Sequence, residues 1–229
     1  MNILICASTT FEISPFLNHI ESIAEKKSFL EFRVNGHSIF PLVTGLGSMN
    51  TAFALARFPK INSIQLAINA GLAGSYNPDF EPGSVVEVIK DRFADLGAEN
   101  RDGTLMDIFD LELHNPDQFP FHDGWLDNKI RPYHTDLEEA HGLTVNKVNG
   151  TPLSIALIKE KYPADVESME GAGFFYACKM MDINCTQLRS ISNPVEPRNR
   201  DNWKIQLAIE RLNQSLIKFI HELTRERFV

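Results

Sequence analysis

Basic residues are scarce in this sequence: lysine and arginine number 22 against 30 aspartates and glutamates, a formal net charge of −8. Proteins that bind nucleic acid neutralise phosphates with a basic surface. No Lys/Arg cluster offsets the deficit here, so nucleic acid is excluded as a partner. Cysteine is scarcer still. Cys6, Cys178 and Cys185 have no metal-ligand spacing and sit in apolar runs; they read as small buried residues of a reducing compartment, and the expected location is the cytoplasm. Long hydrophobic runs are missing. The first, Ile3 to Ala7, is too short for a signal peptide or a membrane span, so no membrane is expected as a partner. No His-Glu-x-x-His and no carboxylate cluster marks a metal site. His114, His122, His134 and His141 are scattered and read as surface or loop residues, and neither metal nor cofactor is expected. Repeats, low-complexity tracts and linkers are absent as well.

What is present is an ordinary globular composition, 43% hydrophobic and 23% charged over 229 residues, enough for one domain spanning 1–229 with a sizeable core. Asn2 to Ala7 reads as a buried parallel strand. Ser8, Thr9 and Thr10 supply turn and cap residues for a helix starting near Phe11, with Ile13, Phe16, Leu17, Ile20 and Ile23 on one stripe. Phe29 to Val34 and His37 to Val43 flank Asn35-Gly36, a strong hairpin turn. Ser63 to Asn69, Val85 to Ile89 and Leu143 to Val148 read as further strands. Thr151 and Pro152 are N-cap and first residue of a helix through Tyr162. A long amphipathic helix, Trp203 to Leu223, turns Leu207, Leu212, Leu216, Phe219 and Ile220 inward. Buried strands alternating with amphipathic helices predict an α/β fold: a central twisted mixed sheet covered by helices on both faces.

Two glycine-rich stretches admit two readings each. Gly45-Leu46-Gly47, ahead of a small-residue helix reaching Phe58, either packs helix on sheet or cradles phosphate; no Walker lysine follows it. Ala70-Gly71-Leu72-Ala73-Gly74 is either a tight turn or a backbone that lets a flat ligand approach. Residues 97–135 carry Gly, Pro, Asp and scattered aromatics with little periodicity, and a segment of that kind is often functional.

The most informative stretch runs from Asp165 to Asn193. Asp165 to Ser168 is a strand end, Gly171 to Met181 has helical spacing with Phe174, Phe175 and Cys178 on one face, and Leu188 to Ser192 alternates as a strand does. Together they predict a right-handed βαβ unit with Glu170 and Asn193 where strands end, which is where α/β sheets bind ligands. Ser-Met-Glu-Gly-Ala at 168–172, then Arg-Ser-Ile-Ser-Asn at 189–193, resembles the signature of the purine nucleosidase and nucleoside phosphorylase superfamily. The extension Ser-Asn-Pro-Val-Glu-Pro-Arg-Asn with Trp203 resembles a hydrolytic branch of it that releases hypoxanthine. Residues 4–12, 69–74, 144–153 and 165–203 carry the resemblance.

That resemblance implies a site. Glu12 is locally an acid in a first helical turn, where it favours the helix dipole; in the nucleosidases a Glu at this place activates the attacking water. Glu170 would accept hydrogen bonds from two ribose hydroxyls, since a carboxylate has two acceptor oxygens. Met169 would lie against the sugar, and Ala73 and Gly74 beside purine and ribose. Val148 and Asn149 would line the purine, with Val148 standing where an aromatic often stacks. Ser192 would support Asn193 or the base edge. Adenine-releasing members have Asp where this chain has Asn193. An Asn amide carries two donors, which suits the two acceptors of a 6-oxopurine edge; taken locally, Asn193 only starts a turn before Pro194. Arg198, Arg200 and Trp203 are candidates by type for the far end of the substrate. A small-molecule nucleoside is the expected partner, and the resemblance implies a homodimer or higher homo-oligomer.

Three function classes follow: a nucleosidase, a phosphate-using phosphorylase of the same fold, and a nucleotide-binding module without catalysis. Two carboxylates and an amide from separate strand ends exceed what a binding loop needs. No Arg precedes Arg33 to form an anion site near the first strand, and Glu12 would repel a phosphate there. Hydrolysis is therefore the expected reaction.

Overall fold

The computed structural model describes residues 1–28, 30–128 and 131–225; Phe29, expected to open a strand, and positions 129–130 of the 97–135 segment lie outside them. The chain begins with β1 (Asn2–Ala7), whose apolar run is wholly buried from Ile3 onward. Helix α1 (Thr10–Ile23) follows through a capping box: the Thr9 hydroxyl accepts from Glu12 N, and the Glu12 carboxylate accepts from Thr9 N. Its stripe buries Ile13, Phe16 and Ile20, but Ile23, the last helical residue, is half-exposed. An edge strand, β2 (Glu25–Ser28), precedes β3 (Glu31–Val34) and β4 (His37–Val43). The β3–β4 turn places Asn35 at φ 48 and Gly36 at φ 78, the left-handed pair that a two-residue hairpin of type I′ requires. Helix α2 (Ser48–Ala56) starts at Gly47.

β5 (Leu66–Ser75) does not stop at Asn69; Ala70 to Gly74 continue it. The glycines serve neighbours rather than a turn. A Cβ on Gly71 would lie 2.3 Å from Arg189 Nη1, and one on Gly74 2.9 Å from Val195 Cγ2. β6 (Val85–Phe93) also outruns its expected end, Ile89. The 97–135 segment holds β7 (Gly97–Glu99) and β8 (Leu105–Asp107), which form a separate two-stranded sheet, and β9 (Leu126–Asp127), which pairs with β6. β10 (Glu138–Thr144) lies earlier than Leu143 to Val148, and His141 sits in this strand beside Trp125 rather than in a loop. Val145 N still donates to Ser168 O across from β11, but Asn146 N leaves the ladder for the Asp95 carboxylate.

Helix α3 (Pro152–Lys161) is capped by Thr151 with Pro152 first, as its sequence predicts. β11 (Val166–Ser168), α4 (Gly171–Met180), β12 (Cys185–Pro194) and α5 (Ile205–Thr224) complete the chain. On α5, Leu212, Leu216, Phe219 and Ile220 are buried, whereas Leu207 is 37% exposed and packs over Gly83. The inward places beside it go to Ala208 and Ile209, and buried Asn213 accepts from Phe16 N and donates to the Glu12 carbonyl, tying α5 to the start of α1.

The main sheet runs β11-β10-β6-β12-β5-β1-β4-β3-β2, and β11 also pairs with β5. β5, β12, β6, β10 and β11 therefore close on themselves as a barrel, with β1 to β4 as an extension. β12 is parallel to β5 and β11 is antiparallel to it. The expected right-handed βαβ unit is thus absent: β11 and β12 run in opposite senses, because the short β11 joins β10 in parallel and crosses the far end of β5. Alternate residues of β1 serve opposite layers. Ile3 and Ile5 meet Phe16, Leu212 and Leu216 of α1 and α5; Leu4 and Cys6 join Leu55, Phe174 and Phe175 of α2 and α4. Helices cover both faces of a mixed sheet, the α/β architecture expected. All three cysteines are free and buried, and among the described residues no helix is long and apolar enough to cross a membrane.

Candidate active site

Glu12, Ala73, Gly74, Val148, Asn149, Met169, Glu170, Ser192 and Asn193 line one cavity of about 280 Å³. They arrive from the first turn of α1, the end of β5, the turn after β10, the loop after β11 and the end of β12. Arg198 and Trp203 line its mouth and Arg200 does not; the Arg198 guanidinium carbon stands 5.1 Å over the Trp203 ring.

Glu12 is held on three sides. Its Oε2 accepts from Ser8 Oγ, from Thr9 N at 2.9 Å and from Thr9 Oγ1 at 3.0 Å, while Oε1 faces Leu72 N at 3.4 Å. The capping box that starts α1 is therefore also what aims this carboxylate. Glu170 is 6% exposed, and its Oε1 accepts from Gly47 N at 3.0 Å. The Gly-x-Gly turn does something other than the helix-on-sheet packing expected of it. Gly47 N is committed to a carboxylate, and Ser48 packs on Gly173 so closely that a Cβ there would meet Ser48 O at 2.6 Å; the turn packs helix on helix. Burial raises the Glu170 pKa, opposed by the charge of Arg189 and by the Gly47 bond, with Glu12 adding to the rise.

Arg189 is the residue that sequence reasoning passed over. It is 1% exposed in the middle of β12, behind the residues that line the cavity. The charges of Glu170, Asp91 and Glu12 all favour its ionised form, though burial, the largest influence, pulls its pKa down. Its Nη2 donates to Gln187 Oε1 at 2.8 Å, and Gln187 Nε2 donates to Asp91 Oδ2 at 3.0 Å. Asp91, which also accepts from Thr144 Oγ1 at 2.8 Å, is pushed up to about 6 by burial. A charged residue at the centre of an otherwise uncharged strand was the available signal, since arginine is almost never fully buried without a partner.

Asn193 lies at the opposite end. Its Oδ1 accepts from Ser192 Oγ at 2.7 Å and its Nδ2 donates to the Pro194 carbonyl at 2.8 Å. Ser192 thus fixes which way the amide faces, and one of the two amide hydrogens expected to meet a base is spent on Pro194. Glu167 is a second residue missed by sequence reasoning; it is 4% exposed and lines the same cavity. Val148 is 39% exposed. Among the described residues no group of His, Cys, Asp and Glu has the arrangement of a metal site. Chemically, the cavity offers a carboxylate able to take a proton, a second able to accept hydroxyl hydrogens and an amide, with a buried cation behind the lining whose charge acts on both acids.

Comparison with known proteins bears on this arrangement. The Phosphorylase superfamily model matches residues 2–224. The chain is 30% identical over 224 residues to futalosine hydrolase of Thermus thermophilus, covering 96% of this chain and 95% of that one. It is 34% identical over 189 residues to futalosine hydrolase of Streptomyces coelicolor, covering 77% and 76%. Among solved structures, native futalosine hydrolase of Helicobacter pylori superposes with a TM-score of 0.76 at 16% identity, over 97% of this chain and 98% of that one. The 5′-methylthioadenosine/S-adenosylhomocysteine nucleosidase of Neisseria meningitidis, bound to methylthio-immucillin-A, gives 0.76 at 15% identity, over 96% and 99%. At such identities the two structures speak to fold alone.

Proposed function

The chain belongs to the phosphorylase superfamily, and we propose that within it this protein is an N-glycosyl hydrolase that cleaves futalosine to hypoxanthine and dehypoxanthine futalosine, a step of the futalosine route to menaquinone. Similarity to futalosine hydrolases along nearly the whole chain supports the substrate. The observation that carries the chemistry is the convergence of Glu12, Glu170 and Asn193 on one cavity from elements far apart in sequence.

Breaking an N-ribosyl bond creates an oxocarbenium-like sugar and a departing purine, so the site must activate a nucleophile, hold the ribose and stabilise charge on the base. Glu12 takes a proton from water as the water's oxygen bonds to the anomeric carbon. The carbon–nitrogen electron pair leaves with the purine. Glu170 accepts from the ribose hydroxyls, Met169 lies against the sugar, and Ala73 and Gly74 let the ligand approach the backbone. Asn193, steadied by Ser192, donates to the purine edge. It cannot act as a general acid, and a 6-oxopurine tolerates that because its oxygen shares the negative charge. Val148 and Asn149 border the base without an aromatic stack. Arg198, stacked on Trp203 at the mouth, meets the carboxylate of the substrate's tail.

Acidic groups at the Glu12 end and the engagement of Gly47 N by Glu170 favour water over phosphate. The working form is a homodimer or larger. Met49 and Phe53 on α2 and Tyr176 and Met180 on α4 leave apolar surface exposed on two helices that pack together at Gly173. The free buried cysteines fit the cytoplasm. The test is competition: futalosine and methylthioadenosine at equal concentration, with released base resolved by chromatography. Hypoxanthine released faster supports the reading. Adenine released faster assigns the protein to the methylthioadenosine nucleosidases instead.

A further inference from the structure

Glu167 is a buried acid that the chemistry above leaves without a task. It is the middle residue of β11 and lines the cavity. Its Oε2 accepts from Tyr76 Oη at 2.5 Å and from Asn149 Nδ2 at 3.4 Å. Both side chains are donors, which suits an acceptor-only carboxylate, and the Asn149 backbone N–H acts on it as well; with about four lone-pair sites on its two oxygens, the carboxylate keeps capacity to accept from a ligand. Burial pushes the Glu167 pKa up, and these two donors oppose the rise.

Its place in the sheet says which part of a ligand it meets. β11 and β12 approach β5 at the same residue: Glu167 and Asn193 are each in register with Gly74. The glycine between them has no side chain to part them: a Cβ on it would stand 2.9 Å from Val195 Cγ2 and 3.4 Å from Asn193 Nδ2. Glu12 and Glu170 belong to the other end, where they share the charge of Arg189. The charges and donors acting on Glu167 are those of Tyr76, Asn149 and Asp95. Glu167 therefore sits with Asn193 at the base end, away from the reacting carbon.

A carboxylate there discriminates between purines. A 6-oxopurine presents an oxygen and, next to it, an N1–H donor. A 6-aminopurine presents an amine and an N1 lone pair. A carboxylate oxygen accepts from the first N1 and repels the second. An Asn193 N–H directed at N7 cannot make that distinction, because N7 is an acceptor in both. We propose that Glu167, held by Tyr76 and Asn149, accepts the N1–H of a 6-oxopurine and sets the preference of this cavity for 6-oxo over 6-amino bases. The inference rests on the purine nucleosidase reading and adds a specificity residue to it.

The experiment measures binding of hypoxanthine, 1-methylhypoxanthine and adenine to the full-length protein by calorimetry, for wild type, Glu167→Gln and Tyr76→Phe. Wild type is expected to bind hypoxanthine at least about tenfold tighter than either other base, the scale of one well-made hydrogen bond to a charged group. Glu167→Gln can turn either its carbonyl or its amine toward N1, so the hypoxanthine-to-adenine ratio falls at least about tenfold. Tyr76→Phe retains the carboxylate and keeps the order of preference. Equal binding of hypoxanthine and 1-methylhypoxanthine by wild type overturns the proposal and needs no variant to fold. An unchanged ratio in a Glu167→Gln protein that still binds hypoxanthine overturns it too. Either result, obtained while wild type still releases hypoxanthine from futalosine, leaves the nucleosidase reading standing; absence of base release from any purine nucleoside overturns both.

Discussion

Arg189 and Gly71 face each other across the β12–β5 ladder, and the guanidinium fills the space that a side chain on the glycine would need: a Cβ there would lie 2.3 Å from Nη1 and 3.5 Å from Glu12 Oε1. The glycine is what lets a buried cation reach the Glu12 end of the cavity. Gly71→Ala is expected to push the guanidinium aside, costing about 1–3 kcal/mol by overpacking. Turnover falls along with stability. Urea unfolding and steady-state base release check the two effects separately.

The cation is oriented by a chain whose polarity cannot be reversed. Arg189 only donates, so Gln187 Oε1 must accept, Gln187 Nε2 must donate, and Asp91 Oδ2 must accept. Asp91→Asn places a donor against a donor and should cost about 1–3 kcal/mol for the mismatched buried pair, with a fall in turnover as Arg189 shifts.

Asp91 also predicts a pH dependence of stability. Its pKa is raised from 3.8 to about 6 by burial, so between those values the folded state holds more protons than the unfolded one. The stability tied to this group is full below the unfolded value and is lost as pH rises through the folded one. Urea midpoints across that window should show a decline from this group in wild type that is missing in Asp91→Asn.

Glu12→Gln keeps the shape of the site and removes the proposed base. Turnover is expected to fall at least about 10²-fold, the usual scale for such a loss, with little change in KM. Steady-state kinetics on futalosine checks it.

In the proposed reaction Glu170 holds the sugar. Removing the 2′-hydroxyl from the nucleoside should harm wild type far more than Glu170→Ala, the non-additivity that marks a direct contact. As pH falls through the raised Glu170 pKa, protonation removes acceptor capacity, so KM for the ribonucleoside should rise on the acid side. Paired substrates assayed over a pH series test both statements.

Local chemistry was legible where it is locally determined. The α1 and α3 caps, the Asn35-Gly36 hairpin and the apolar run of β1 follow from side chains within a few residues of one another. The residues converging on the cavity were legible through a signature that spans their elements. What the sequence concealed depends on partners distant in the chain. Ala70 to Gly74 looks like a turn until Arg189 and Val195, more than a hundred residues away, are seen to occupy the missing side chains' space. β11 looks like the first strand of a parallel pair, yet three residues are too few to fix a direction without β10 and β5 beside them. Arg189 and Glu167 were overlooked for a related reason: within a short motif a buried charge and a surface charge read alike, and only the fold separates them.

The central claim is that water, activated by Glu12, replaces the purine at the anomeric carbon. Cleavage of futalosine in ¹⁸O-water, with and without added phosphate, tests it most directly. The account predicts one ¹⁸O on the anomeric hydroxyl of the sugar product at short reaction times, hypoxanthine released in equal amount, and a rate indifferent to phosphate. Release that depends on phosphate and yields an unlabelled sugar 1-phosphate would contradict it.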